Sequence, residues 1–96
     1  MNEKELYRQK HQAQLDEWKA EIAKLKARAA GAKADAQIEM NKHVRELDRR
    51  IHEASAKLAE LAAASEEGWD SVRKNAEKTW DALKAGFGAA AAKFKE

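Results

Sequence analysis

The 96-residue chain has no proline and no cysteine. Without cysteine there are no disulfides and no thiolate metal sites, and the redox compartment is left open. Without proline there is no fixed break in a helical run. Glycine occurs only at Gly31, Gly68, Gly86 and Gly88. β-branched residues are confined to Ile22, Ile38, Val44, Ile51, Val72 and Thr79, which is too few and too scattered for strands. No run approaches the roughly 20 apolar residues of a membrane-crossing helix. The opening MNEKELYRQK holds no apolar stretch, which argues against a secretory signal and for a cytoplasmic protein. Charge of one sign is also lacking. Nineteen basic residues face 17 acidic ones, and an excess of two does not by itself imply nucleic acid.

What remains is alanine, glutamate, lysine, leucine and arginine, the composition of long helices and coiled coils. One domain over 1–96, all-α, is the expectation. The most heavily apolar stretch is Trp69 to Phe94. Its apolar residues fall at Trp69, Val72, Ala76, Trp80, Leu83, Phe87, Ala90 and Phe94, in steps of three or four that share one helix face. Trp69-Asp70 is echoed by Trp80-Asp81 eleven residues later, a period close to that of a straight helix.

Two further stripes precede it. The first runs Leu15, Trp18, Ile22, Leu25, Ala29, Ala32, Ala36. The second runs Met40, Val44, Leu47, Ile51, Ala54, Leu58, Leu61, displaced by one residue from the first. Upstream, the first phase lands on Arg8 and His11, so the opening two turns are expected to fray or lie outside the contact. The segment RAAGAKADAQ (28–37) is alanine-rich and holds a single glycine, which costs about 1 kcal/mol inside a helix. It favours one continuous helix over about 4–64. The alternative is a turn near Gly31 to Asp35, with Asp35 as a cap, giving a closed three-helix bundle. A tight turn is expected within 62–67, with Ser65 as N-cap and Glu66 and Glu67 in the first turn of a return helix over about 67–94.

The favoured architecture is therefore an antiparallel helical hairpin with a long first helix, coiled-coil-like, packing into an oligomeric bundle. A first helix of roughly 90 Å is covered by a return helix of only about 42 Å. Met40, Val44, Leu47, Ile51, Leu58 and Leu61 would pack in the hairpin core with Trp69, Val72, Trp80, Leu83 and Phe87. Leu15, Trp18, Ile22 and Leu25 would be left for a second chain, most simply in a two-fold dimer.

Sites with chemistry are sparse. His11, His43 and His52 form no HExxH or paired-histidine spacing, so no metal or other cofactor is implied. Lys42, His43, Arg45, Arg49 and Arg50 are the one basic cluster, but Glu46 and Asp48 interrupt it and Glu46 stands four residues before Arg50. A salt-bridged face is the reading, and nucleic acid is disfavoured. No nucleophile, base and carboxylate combine, so neither an enzyme nor a small-molecule substrate is indicated. The aromatic face of 69–94, flanked by Lys74, Lys78 and Lys84, offers a second reading as an amphipathic module that binds membrane surfaces reversibly.

The runs AQLDEWKAEIAKLKAR (13–28), DAQIE (35–39) and ASEEGW with TWDALKAGF (64–69 and 79–87) resemble a group of small bacterial coiled-coil-domain proteins, some described as stress-response proteins. The resemblance covers nearly the whole chain. Its most specific part is Leu15-Asp16-Glu17-Trp18 with the tryptophan-bearing return helix. It implies an all-helical, non-enzymatic, stress-associated bacterial protein and transfers no catalytic residue.

Overall fold

The structure is a computed structural model, and residues 3–93 are described. They form three helices in sequence: α1 (Glu3–Ala30), α2 (Ala34–Ala63) and α3 (Glu66–Lys93). Among the described residues there is no strand. Phe94 and Lys95, expected near the end of the last helix, lie outside the described residues.

The all-α expectation holds, but the single helix over 4–64 does not form. The chain turns at Gly31–Lys33, and the closed three-helix arrangement is the one adopted. The longest dimension is 51 Å, which has no room for a helix of roughly 90 Å. The physical reason is the first stripe itself. Folding α1 back lets α2 and α3 cover Leu15, Trp18 and Ile22 within one chain, at roughly 1.5–3 kcal/mol for each large side chain buried. That gain outweighs the small local preference of 28–37 for helix. Asp35 sits in the first turn of α2 and is not its cap; Lys33 occupies that position.

The second connector falls at Ala64–Ser65, inside the expected 62–67. Ser65 caps α3, and its Oγ accepts a hydrogen bond from the Gly68 N–H at 3.2 Å. Lys4 Nζ donates to the Ala64 carbonyl, so the start of α1 satisfies the end of α2. The helices run up, down and up. Lys26 pairs with Asp48 across α1 and α2 at 3.5 Å, and Lys93 pairs with Glu39 across α3 and α2 at 2.8 Å. These exposed pairs fix register more than they add stability.

One core runs the length of the bundle. Leu15, Trp18 and Ile22 come from α1, Val44, Leu47, Ile51, Ala54, Leu58 and Leu61 from α2, and Ala76, Leu83 and Ala90 from α3. Ala29 and Met40 are buried outside this cluster. The hairpin-core residues named from sequence all lie on this face, with Trp69, Val72, Trp80 and Phe87 partly buried against it. Helix α2 packs closely on both neighbours. At Gly86 the α2–α3 approach leaves no room for more: a Cβ there would stand 3.2 Å from Leu47 Cδ2.

Candidate functional site

The α1–α3 seam is built differently from the two that involve α2. Its backbones seldom come close, and large rings fill the space between them. These two helices are parallel, so residues near the start of one meet residues near the start of the other. Tyr7 stacks on His11 with ring centroids 4.0 Å apart, and its edge meets Trp69 at 5.7 Å. His11 meets Trp80 edge-on at 4.5 Å. Trp18 then lies against Trp80 at 5.3 Å and stacks on Phe87 at 5.4 Å. The result is an unbroken ladder: Trp69, Tyr7, His11, Trp80, Trp18, Phe87. Offset and edge contacts of this kind each add about 0.5–1.5 kcal/mol beyond the area they bury.

The spacing explains the ladder. Positions 7, 11, 15 and 18 advance by four, four and three, so Tyr7 and His11 continue the Leu15–Trp18 face toward the N-terminus. On α3, Trp69, Trp80 and Phe87 are eleven and seven residues apart and share a face. The expectation that the opening turns stand outside the contact is therefore corrected. Helix α1 begins at Glu3, and both Tyr7 and His11 are half-buried in the seam. A reading that follows aliphatic residues alone steps past them; the four-residue spacing of Tyr7 and His11 ahead of Leu15 is the signal that finds them.

The polar tips of the seam are less well provided for. Tyr7 Oη, Trp69 Nε1 and Arg73 Nε are buried without a hydrogen-bond partner. The Arg73 guanidinium lies over the Trp69 ring, 5.1 Å from its centroid. Burial, followed by the negative charge of Glu77, raises the Tyr7 phenol above its ordinary value, while Arg73 opposes the shift. His11 Nδ1 is 2.9 Å from the Tyr7 carbonyl, which can only accept, so that nitrogen carries the proton. Next to this end of the ladder is an open cleft of about 300 Å³ lined by Lys4, Glu5, Tyr7, Arg8, Leu61 and Ala62. Its charges are of mixed sign and no catalytic group is set against another.

The stripe assigned from sequence to a second chain lies elsewhere than expected. Leu15, Trp18 and Ile22 are buried in the chain's own core, and Leu25 packs half-buried against it. Among the described residues the large apolar side chains that stay exposed, Leu6 at 52% and Ile38 at 66%, are single residues on different helices.

Two members of the basic cluster on α2, Arg49 and Arg50, are salt-bridged. Arg49 donates to Glu46 at 2.6 Å and to Glu53, and Arg50 donates to Glu46 at 3.1 Å. Hydrogen bonds from Arg49 and Arg50 hold the Glu46 carboxyl below its ordinary range. Arg50 also reaches across to the Ala82 carbonyl at 2.8 Å and ties α2 to α3. Among the described residues no three histidine or acidic side chains gather as a metal site would need, and no helix is long and apolar enough to cross a membrane.

Comparison with protein-family models, with curated proteins and with solved structures found no match for this chain.

Proposed function

We propose that the chain is a non-enzymatic structural protein of the cytoplasm that acts through self-association of its helices, in the stress-associated role implied by the family resemblance. The observation that supports this reading is how α1 is held. Its inner face meets α3 through ring surfaces, and two of the polar tips in that seam, Tyr7 Oη and Trp69 Nε1, have no partner. Ring and aliphatic surfaces are not specific to one copy. The α2–α3 pair of another molecule offers the same surface, so Leu15, Trp18, Ile22 and Leu25 serve as core in a single chain and as interface in an assembly.

Light scattering across micromolar to millimolar concentrations tests the proposal. A mass that rises from one chain to two supports it; a constant single-chain mass ends it.

A second reading has its own observation. Tryptophan and tyrosine with unpartnered polar tips suit the boundary between water and lipid. If the seam opened on a membrane surface, Trp69 and Tyr7 would gain water at their tips and lipid at their rings. Helix α3 and its flanks (66–96) carry six basic and six acidic residues, so attraction to anionic lipid would be modest. Anionic vesicles that neither co-sediment the protein nor shift its tryptophan emission would rule this reading out.

A further inference from the structure

The two connectors are not equivalent. Ala64–Ser65 is closed by the Gly68 bond to Ser65 Oγ and by Lys4 on the Ala64 carbonyl. Among the described residues Gly31–Lys33 has neither kind of closure. Lys33 holds the N-cap position of α2, and its side chain makes no capping bond. Gly31 does not adopt a positive φ, so α1 does not end in the left-handed glycine stop that commonly terminates helices. Only the N–H groups of Gly31 and Ala32 turn back, to the carbonyls of Arg28 and Ala29 at 3.2 and 3.1 Å. Lys33 itself has φ −64°, already a helical value; its ψ of 156° is what departs. Local sequence here prefers helix, and the burial of α1 against α2 and α3 is what favours the closed turn.

The stripes also agree with a straightened chain. Ala29 is the last buried residue of α1 and Met40 the first of α2. They are eleven residues apart, which is three turns of continuous helix with a small residual rotation. Straightening therefore merges the two buried faces into one.

We infer that Gly31–Lys33 is a hinge and that the partner it serves is a second copy of this chain. With the hinge straight, Glu3 to Ala63 becomes one helix, and α1 of each copy docks on α2 and α3 of the other. This inference rests on the self-association reading and names how association occurs. Trp18 on Phe87, Lys26 with Asp48 and Lys4 on Ala64 are all rebuilt, now between chains. The capped second connector keeps α3 with its own α2. The two long helices then lie antiparallel about a two-fold axis, as an exchange of identical elements requires.

Two hinge variants of the full chain, with one distance measurement, test this. A Cβ at Gly31 would meet only the Arg28 carbonyl at 3.8 Å, so Gly31→Ala fits either state while favouring helix. The expected gain is about fivefold per hinge, and about 25-fold in the dimerisation constant because two hinges straighten. Lys33→Asp supplies the missing cap and shifts the same constant the other way by a similar factor. The chain has no cysteine, so Gln12→Cys and Ala59→Cys give clean spin-label sites on the exposed sides of α1 and α2. In dimers diluted with unlabelled chain, the 47 residues between these labels should span about 70 Å along a straight helix. In the closed chain the pair is close, since both residues line one groove. A dimer that keeps the short distance overturns the hinge and leaves self-association standing. A single-chain mass for both variants at every concentration overturns both.

Discussion

Trp18 of α1 and Phe87 of α3 lie ring over ring, centroids 5.4 Å apart and planes within 10° of parallel. Trp18 is buried and touches Trp80 as well, so it links the two α3 aromatics that stand seven residues apart. The pair closes one end of the aromatic ladder, and its coupling measures how far the α1–α3 seam is held by ring contact. Trp18→Leu and Phe87→Leu each keep apolar bulk and remove a ring. A double-mutant cycle by urea unfolding should give a coupling of about 0.5–1.5 kcal/mol. Additive losses would mean that the rings act only as filler.

The far end of the ladder carries an unusual reporter. Tyr7 is the one tyrosine in the chain, so phenolate absorbance reads that site alone. Burial raises its pKa in the folded state, with Glu77 adding to the shift. The sign follows directly. A phenol whose folded pKa exceeds its unfolded value contributes stability that is fully present below the unfolded value, near 10, and is lost as pH rises through the folded one. Alkaline titration of the native protein should therefore show a midpoint above that of the urea-unfolded chain. Tyr7→Phe should remove the corresponding alkaline loss of stability. Equal midpoints in the two states would place Tyr7 in solvent, not in the seam.

These ring contacts also show where sequence reading reaches and where it stops. The Met40–Leu61 and Trp69–Phe87 stripes are legible because burial on a helix face repeats every three or four residues. Ser65 is legible because a cap is local chemistry, fixed by the residue and its neighbours. The turn at Gly31–Lys33 has no such local mark. Its residues favour helix, and the stripes on either side stay on one face if the helix continues. What closes it is the burial of Leu15, Trp18 and Ile22 against α2 and α3, a property of three helices together. Tyr7 and His11 are hard to read for a different reason: their seam is aromatic and amphipathic, and the aliphatic pattern begins only at Leu15.

Two glycines in α3 should respond oppositely to the same change. Around Gly88 no heavy atom beyond its own stretch of helix backbone lies within 4 Å of an added Cβ, so Gly88→Ala gains only helix preference, about 0.5–1 kcal/mol. At Gly86 the same Cβ meets Leu47 Cδ2 at 3.2 Å, and Leu47 is itself buried. The side chain must shift within a packed core, which costs about 1–3 kcal/mol and cancels or exceeds the helix gain. Denaturant midpoints should rise for Gly88→Ala and stay level or fall for Gly86→Ala. Equal rises would show that α2 and α3 are less closely packed at Leu47 than the structure has them.

The cap at Ser65 separates the connector that local chemistry holds from the one that packing holds. Ser65→Ala removes the acceptor for the Gly68 N–H, 3.2 Å away, at the start of α3. The expected loss is about 1 kcal/mol. For a chain of this size that corresponds to a fall of about 4–8 °C in Tm. Ser65→Asp restores an acceptor and adds negative charge where the helix dipole favours it, so it should recover most of the loss. At the other connector, Lys33→Ala removes no capping bond, since the Lys33 side chain makes none, and should leave Tm nearly unchanged. Thermal melts by circular dichroism at low protein concentration compare the three. A Lys33→Ala loss as large as that of Ser65→Ala would show that the first connector has its own local lock, and the contrast between the two turns would not stand.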